Sequence, residues 1–210
     1  MEKPKPKGKR KSFIYTLARV LAGILFHTVC PIVYHGAKHL ALKAPYIIIC
    51  NHLSWLDPIC VAYAVKKEQV AFMAKKETMQ NKLAGAILRN MHAIPVDRHN
   101  SDMSAMRLSM QALREGSVLG IFPEGTRHKR GNMEELEGGA AILALRSQAP
   151  VIPMYIHGKI KPFTKVHCYI GPPMVLEDLR EQGVDKEVAQ ALLDRITALY
   201  RDMALRAQKA

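Results

Sequence analysis

From residue 46 onward, short apolar runs alternate with stretches of helical period, and that alternation narrows the folds open to this chain more than any other feature. Runs at 46–50, 70–73, 93–96, 117–122, 151–156 and 166–170 are rich in Ile and Val and bounded by turn residues, which predicts strands. Helical spacing predicts helices at 58–66, 81–90, 102–115 and 138–148. The third has Ser101 as N-cap, Met103, Met106, Met110 and Leu113 on one face, and Gly116 at the C′ position. Such alternation implies an α/β fold, a mainly parallel central sheet with flanking helices, with 151–170 forming a strand pair open to antiparallel pairing. A last helix at 186–207 presents Val188, Leu192, Ile196, Leu199 and Met203 as a packing face.

The 210 residues, 49% hydrophobic, suffice for one core, so 36–210 is read as one α/β domain. Residues 1–35 form a separate segment, a basic tail and a membrane-associating helix. Residues 1–11 hold six of the 31 Lys and Arg residues and are expected to be disordered. Residues 12–29 then turn apolar. A helix there aligns Ser12, Thr16, Arg19, Gly23 and His27 on one stripe, with Phe13, Leu17, Val20, Leu21, Ile24 and Leu25 on other faces. Arg19 interrupts the run before the length of a spanning helix, which favours a helix lying in or dipping into a bilayer face. A signal peptide, for which no A-x-A site follows closely, and a helix packed on the core are the rival readings.

The net charge of +13 calls for an anionic partner: nucleic acid, an anionic membrane surface or a phosphorylated substrate. Aromatics at 6% are thin material for base stacking, and six of the cations sit in the first eleven residues rather than on one continuous face with a recognition helix, which argues against nucleic acid. Cys30, Cys50, Cys60 and Cys168 lack the spacing of a disulfide framework and suggest a reducing compartment.

Chemistry concentrates in CNHLSWLDP, residues 50–58, just past the first strand. A free imidazole has a pKa near neutrality, so a histidine such as His52 can take a proton from a hydroxyl; Asp57 is the nearby carboxylate able to orient it. On a continuous helix the two would stand about 140° apart, so a pairing requires the backbone to bend. Asp57-Pro58 also reads as a helix start, Asp at N-cap and Pro at N1. Cys50, His52 and Cys60 lack the spacing of a metal site, and none is expected. In open α/β sheets ligands gather beyond the carboxyl ends of strands. There the sequence places His52, Lys75, Arg98 and the FPEGTR stretch after four successive strands. Glu124, Thr126 and Arg127 of that stretch offer a carboxylate, a hydroxyl and a bidentate phosphate fork. A base beside several cations points to an enzyme acting on a phosphorylated substrate.

HLSWLD has the H-x-x-x-x-D form of the glycerolipid acyltransferases. NHLSWLDP, AKKE with IPVDR, FPEGTR and APVIPMYIHG resemble, in order, the blocks of the 1-acyl-sn-glycerol-3-phosphate acyltransferase family over residues 46–158. Thr78, where a leucine is common, and Glu137-Gly138, where lysine often precedes the glycine, depart from the pattern. The resemblance implies His52 as base and Asp57 as its partner. It implies Glu124, Gly125, Thr126 and Arg127 in acceptor binding, Arg98 and Lys75 beside the phosphate, and Pro153 shaping the acyl-donor side. It further implies transfer from acyl-CoA or acyl carrier protein to lysophosphatidic acid, with the thioester as co-substrate, no cofactor and no metal. The expected place of work is the cytoplasmic face of the cell membrane, as a peripheral or monotopic protein. With no G-x-S-x-G elbow, a serine acyl-enzyme is not expected, and Ser54 is read as turn chemistry. A membrane-associated binding protein without turnover, or an acyltransferase for another lysophospholipid or glycerol phosphate, is the alternative.

Overall fold

Tyr46–Cys50 is apolar and buried at every position, which requires protein on both faces of its sheet. The computed structural model, which describes residues 12–97, 103–125, 133 and 135–209, supplies both faces. The elements run α1 (Phe13–Thr28), β1 (Ile32–His35), a 3-10 turn (Ala37–Leu40), β2 (Tyr46–Cys50), α2 (Asp57–Ala64), β3 (Val70–Lys75), α3 (Lys76–Gln80), α4 (Lys82–Asn90) and β4 (Ile94–Val96). They continue with α5 (Met103–Arg114), β5 (Val118–Ile121), α6 (Gly138–Ser147), β6 (Val151–His157), β7 (Val166–Ile170), α7 (Glu177–Glu181) and α8 (Lys186–Gln208).

The sheet order is β1-β7-β6-β2-β5-β3-β4. β6, β2, β5, β3 and β4 are mutually parallel, while β7 runs antiparallel to β6 and carries β1 parallel to itself. The carboxyl ends of β2, β3, β4 and β5 therefore share one rim, and β2, between β5 and β6, places its end at the middle of it. One face, with Ile47, Ile49, Leu119 and Val151, packs under α6 and α8; the other, with Tyr46, Ile48, Cys50 and Met154, packs under α1 and α2.

β1, the 3-10 turn, α3 and α7 were not expected from the sequence. β1 is half-buried throughout and its partner is remote, Ile32 pairing with Val166, so no local pattern marks it. Gly116 terminates α5 as expected, at φ 81 with its N–H donating to the Leu113 carbonyl. Its N-cap, Ser101, and the tail of residues 1–11 lie outside the described residues.

α1 turns one member of its polar stripe, Arg19, toward the protein, while Thr16 and His27 of that stripe stay exposed. Ser12 caps it, its hydroxyl accepting from the Tyr15 N–H. Tyr15, Ala22 and Phe26 are buried, and Arg19 turns inward with them. Its guanidinium donates to the carbonyls of Ala62, Tyr63 and Val65 at 2.6, 3.2 and 2.6 Å, capping the carboxyl end of α2, and lies over the Tyr63 ring. Phe13, Leu17, Val20, Leu21 and Ile24 face outward, between 48% and 83% exposed. Among the described residues no helix is long and apolar enough to cross a membrane.

Candidate active site

The ladder between β2 and β6 continues one residue past Cys50 through a side chain. Buried Asn51 donates from its amide to the Ile156 carbonyl at 3.0 Å and accepts from the Ile156 N–H at 2.8 Å. An asparagine amide can replace a peptide group in this way, and it fixes where the chain leaves the sheet. The bend comes next. Asp57 Oδ2 accepts from the Leu53 and Ser54 N–H groups, both at 2.6 Å, and Oδ1 from the Ser54 hydroxyl at 2.8 Å, which in turn accepts from the Leu56 N–H. The turn that these bonds close brings His52 Nδ1 within 2.9 Å of Asp57 Oδ2. The N-cap reading of Asp57 is corrected here: α2 begins at Asp57 itself, and the carboxylate reaches back to the preceding turn instead of capping its own helix.

A carboxylate on Nδ1 leaves Nε2 as the nitrogen able to accept a proton. Asp57 is fully buried and the His52 side chain is 14% exposed, so the pair is shielded from water while the imidazole remains reachable. The ring stacks on Phe122 at 4.3 Å between centroids, and Phe122 stacks on Phe72. The base is thus held by a carboxylate on one nitrogen and an aromatic face beneath.

FPEGTR begins as a tight turn at the end of β5. The Gly125 N–H donates to the Phe122 carbonyl, and Gly125 has φ 66. The positive φ calls for glycine, and a Cβ there would stand 3.0 Å from the Glu137 carboxylate, which would have to shift slightly. The buried Glu124 accepts from the His52 N–H at 2.8 Å on one carboxylate oxygen and from the Met133 N–H at 3.3 Å on the other. It joins the FPEG turn to the histidine backbone. Glu137, the departure noted in the sequence, donates its N–H to the Pro123 carbonyl and sits over this turn at the start of α6.

The structure therefore brings together His52, Asp57, Glu124 and Gly125. Lys75 stands on the same rim at the end of β3, exposed and 3.8 Å from Glu77. Pro153 lies inside β6, opposite Ile49, with its ring where a Cβ on Gly171 would fall; it is a position within the sheet, not on the rim. Arg98, Thr126 and Arg127 lie outside the described residues. Among the described residues no group of three or more His, Cys, Asp and Glu side chains could hold a metal. Cys50 is fully buried and burial pushes its thiol well up, so it stays protonated beside the base.

A family model described as Acyltransferase matches residues 31–157, which run from the start of β1 to the end of β6. The 1-acyl-sn-glycerol-3-phosphate acyltransferase of Bacillus subtilis (strain 168) is 32% identical over 173 residues, covering 79% of this chain and 86% of that protein. The chain belongs to the acyltransferase family. A protein of the same name from Streptococcus pneumoniae is 31% identical over 165 residues, and this acyltransferase covers 59% of its length. The crystal structure of the 1-acyl-sn-glycerophosphate (LPA) acyltransferase from Thermotoga maritima shares the fold at a TM-score of 0.67 and 22% identity, covering 90% of this chain and 78% of that one.

Three residues that support the site in this acyltransferase went unread in its sequence: Asn51, Phe122 and Tyr200. Tyr200, on α8, donates its hydroxyl to the Ile49 carbonyl and accepts from the Met154 N–H, tying β2 to β6 just before the histidine turn. Burial raises its pKa well above the ordinary value, so it remains a donor. An asparagine directly before a reactive histidine was a usable signal. Nothing local marks Tyr200.

Proposed function

We propose that this acyltransferase moves a fatty acyl group from an acyl thioester to the free hydroxyl of 1-acyl-sn-glycerol 3-phosphate, forming phosphatidic acid. One observation carries the reading: the 2.9 Å contact of His52 Nδ1 with buried Asp57 at the end of the central strand. Nε2 takes the hydroxyl proton as that oxygen attacks the thioester carbonyl carbon, and Asp57 stabilises the imidazolium. The tetrahedral intermediate then expels the sulfur, the C–S bond breaks, and the imidazolium returns the proton to the thiolate. Lys75 on the rim, with Arg98 and Arg127, meets the acceptor phosphate. Similarity to the Bacillus subtilis enzyme over most of both chains supports the substrate.

The test is release of free thiol by the purified chain given lysophosphatidate and either acyl-CoA or acyl carrier protein. Thiol release that requires the lysophosphatidate, with His52→Ala lowering turnover by about 10²-fold or more, is expected. A folded His52→Ala variant of near-normal rate overturns the mechanism. Asp57→Asn keeps the turn's hydrogen-bond acceptor but loses the charge, and is expected to lower turnover while the fold survives.

We also propose that the enzyme works on the cytoplasmic face of a membrane, held there by α1. The support is the outward apolar face of Phe13, Leu17, Val20, Leu21 and Ile24, on a helix that follows a sequence stretch holding six basic residues. Between Glu2 and Asp57 the sequence has no acidic residue to oppose an anionic leaflet. Leu21→Ser with Ile24→Ser is expected to release the protein from anionic vesicles; unchanged flotation counts against the reading.

A further inference from the structure

The loop between β6 and β7, residues 158–165, belongs to the carboxyl rim of the sheet, because β6 runs parallel to β2 and ends beside the histidine turn. Ile160 is buried in the core beneath α1 and α2 and anchors this loop, while residues 161–165 are exposed. At its tip Phe163 is 85% exposed at φ 58, a backbone state that side chains disfavour. Lys159, Lys161 and Lys165 flank it in sequence, all exposed. No acidic residue occurs between Glu137 and Glu177. The Phe163 N–H donates to the Val29 carbonyl at 2.6 Å, joining the tip to the carboxyl end of α1.

We propose that this loop is a second lipid-docking element, with Phe163 entering the acyl boundary of an anionic bilayer and the three lysines lying at its headgroups. It rests on the reading of α1 as a membrane face. An exposed aromatic held up by a buried anchor and flanked by cations has the composition of an interfacial insertion, and here its backbone is tied to the carboxyl end of α1, the helix that carries the outward apolar face. Trp55, 75% exposed between His52 and Asp57, stands on the same rim. The two docking elements would set the opening of the His52 site against the surface from which an acyl-bearing acceptor arrives.

The full chain is tested by flotation with vesicles of phosphatidylcholine alone or with phosphatidylglycerol. Phe163→Gly suits the backbone, so folding is preserved, and should lower partitioning about tenfold. Changing Lys159, Lys161 and Lys165 to Gln should lower it on anionic vesicles about fivefold per lysine, with little change on neutral ones. Phe163→Trp, in a Trp55→Phe background, should shift its emission to the blue and be quenched by brominated lipid. Activity on a short-chain soluble acceptor should be unchanged in the Phe163→Gly and lysine variants. If these bind as the parent does while Leu21→Ser with Ile24→Ser binds weakly, the loop inference falls and the α1 reading stands. If neither set weakens binding, both fall. If the lysine variants lose only binding to acyl carrier protein, the loop's partner is an acidic protein and the lipid proposal is overturned.

Discussion

α1 and α8 are both amphipathic, and the protein uses them in opposite senses. α8 buries Val188, Leu192, Leu193, Ile196, Tyr200 and Met203 against α6 and the sheet and leaves its charged residues in water. α1 buries Tyr15, Ala22 and Phe26, draws Arg19 onto the end of α2, and turns its larger aliphatic side chains outward. A 3.6-residue period identifies a stripe; it does not say which side of the stripe meets the protein. What separates the two helices is the receiving surface. α8 meets an apolar sheet face throughout, whereas α1, besides burying Tyr15, Ala22 and Phe26 in the core, meets the carbonyl-bearing end of a short helix, where a guanidinium is worth more than a leucine.

The contrast breaks most sharply at the core. Leu192→Ala in α8 should cost about 3 kcal/mol by leaving a cavity, whereas Leu21→Ser in α1 should stay within about 0.5 kcal/mol; urea unfolding measures both. Equal costs would mean that α1's outer face is covered by protein. Next in size, Arg19→Ala removes a charged donor from three carbonyls and should cost about 2 kcal/mol, with Arg19→Lys recovering only part, since an ammonium lacks the planar fork. Deleting residues 1–29 would cost more still, because it strips Tyr15 and Phe26 from the core together with the outer face. Tyr200→Phe in α8 should cost about 1–2 kcal/mol and lower turnover a few-fold, because the Ile49 and Met154 groups lose their partner just before the histidine turn. A stability loss without any change in turnover would confine Tyr200 to the core.

The smallest effect is electrostatic. Arg195 on α8 holds Asp178 of α7 through two hydrogen bonds, at 3.0 and 2.6 Å, and lowers its pKa below the ordinary value. A carboxyl lowered in the folded state adds stability above its unfolded value of about 3.9, and loses it as pH falls through the folded value. Because the pair is exposed, the melting temperatures of the parent and Asp178→Asn should differ slightly at neutral pH and converge below about pH 4.

Local pattern was enough for much of this protein. The five apolar residues of β2 required a sheet covered on both faces, the spacing of α8 named its packing face, and His52 with Asp57 required a bent turn because a helix would part them. These properties are written within a few residues of one another. Tertiary structure decided the rest: that β1 pairs with β7, that Asn51 completes the ladder at Ile156, that Glu124 holds the His52 backbone, and that Arg19 faces inward. Each of these joins residues remote in sequence, with backbone N–H or C=O groups on at least one side of the contact. Every residue type offers a carbonyl and all but proline an N–H, so such partners leave no signature in the chain, and only the packed fold selects which of them meet.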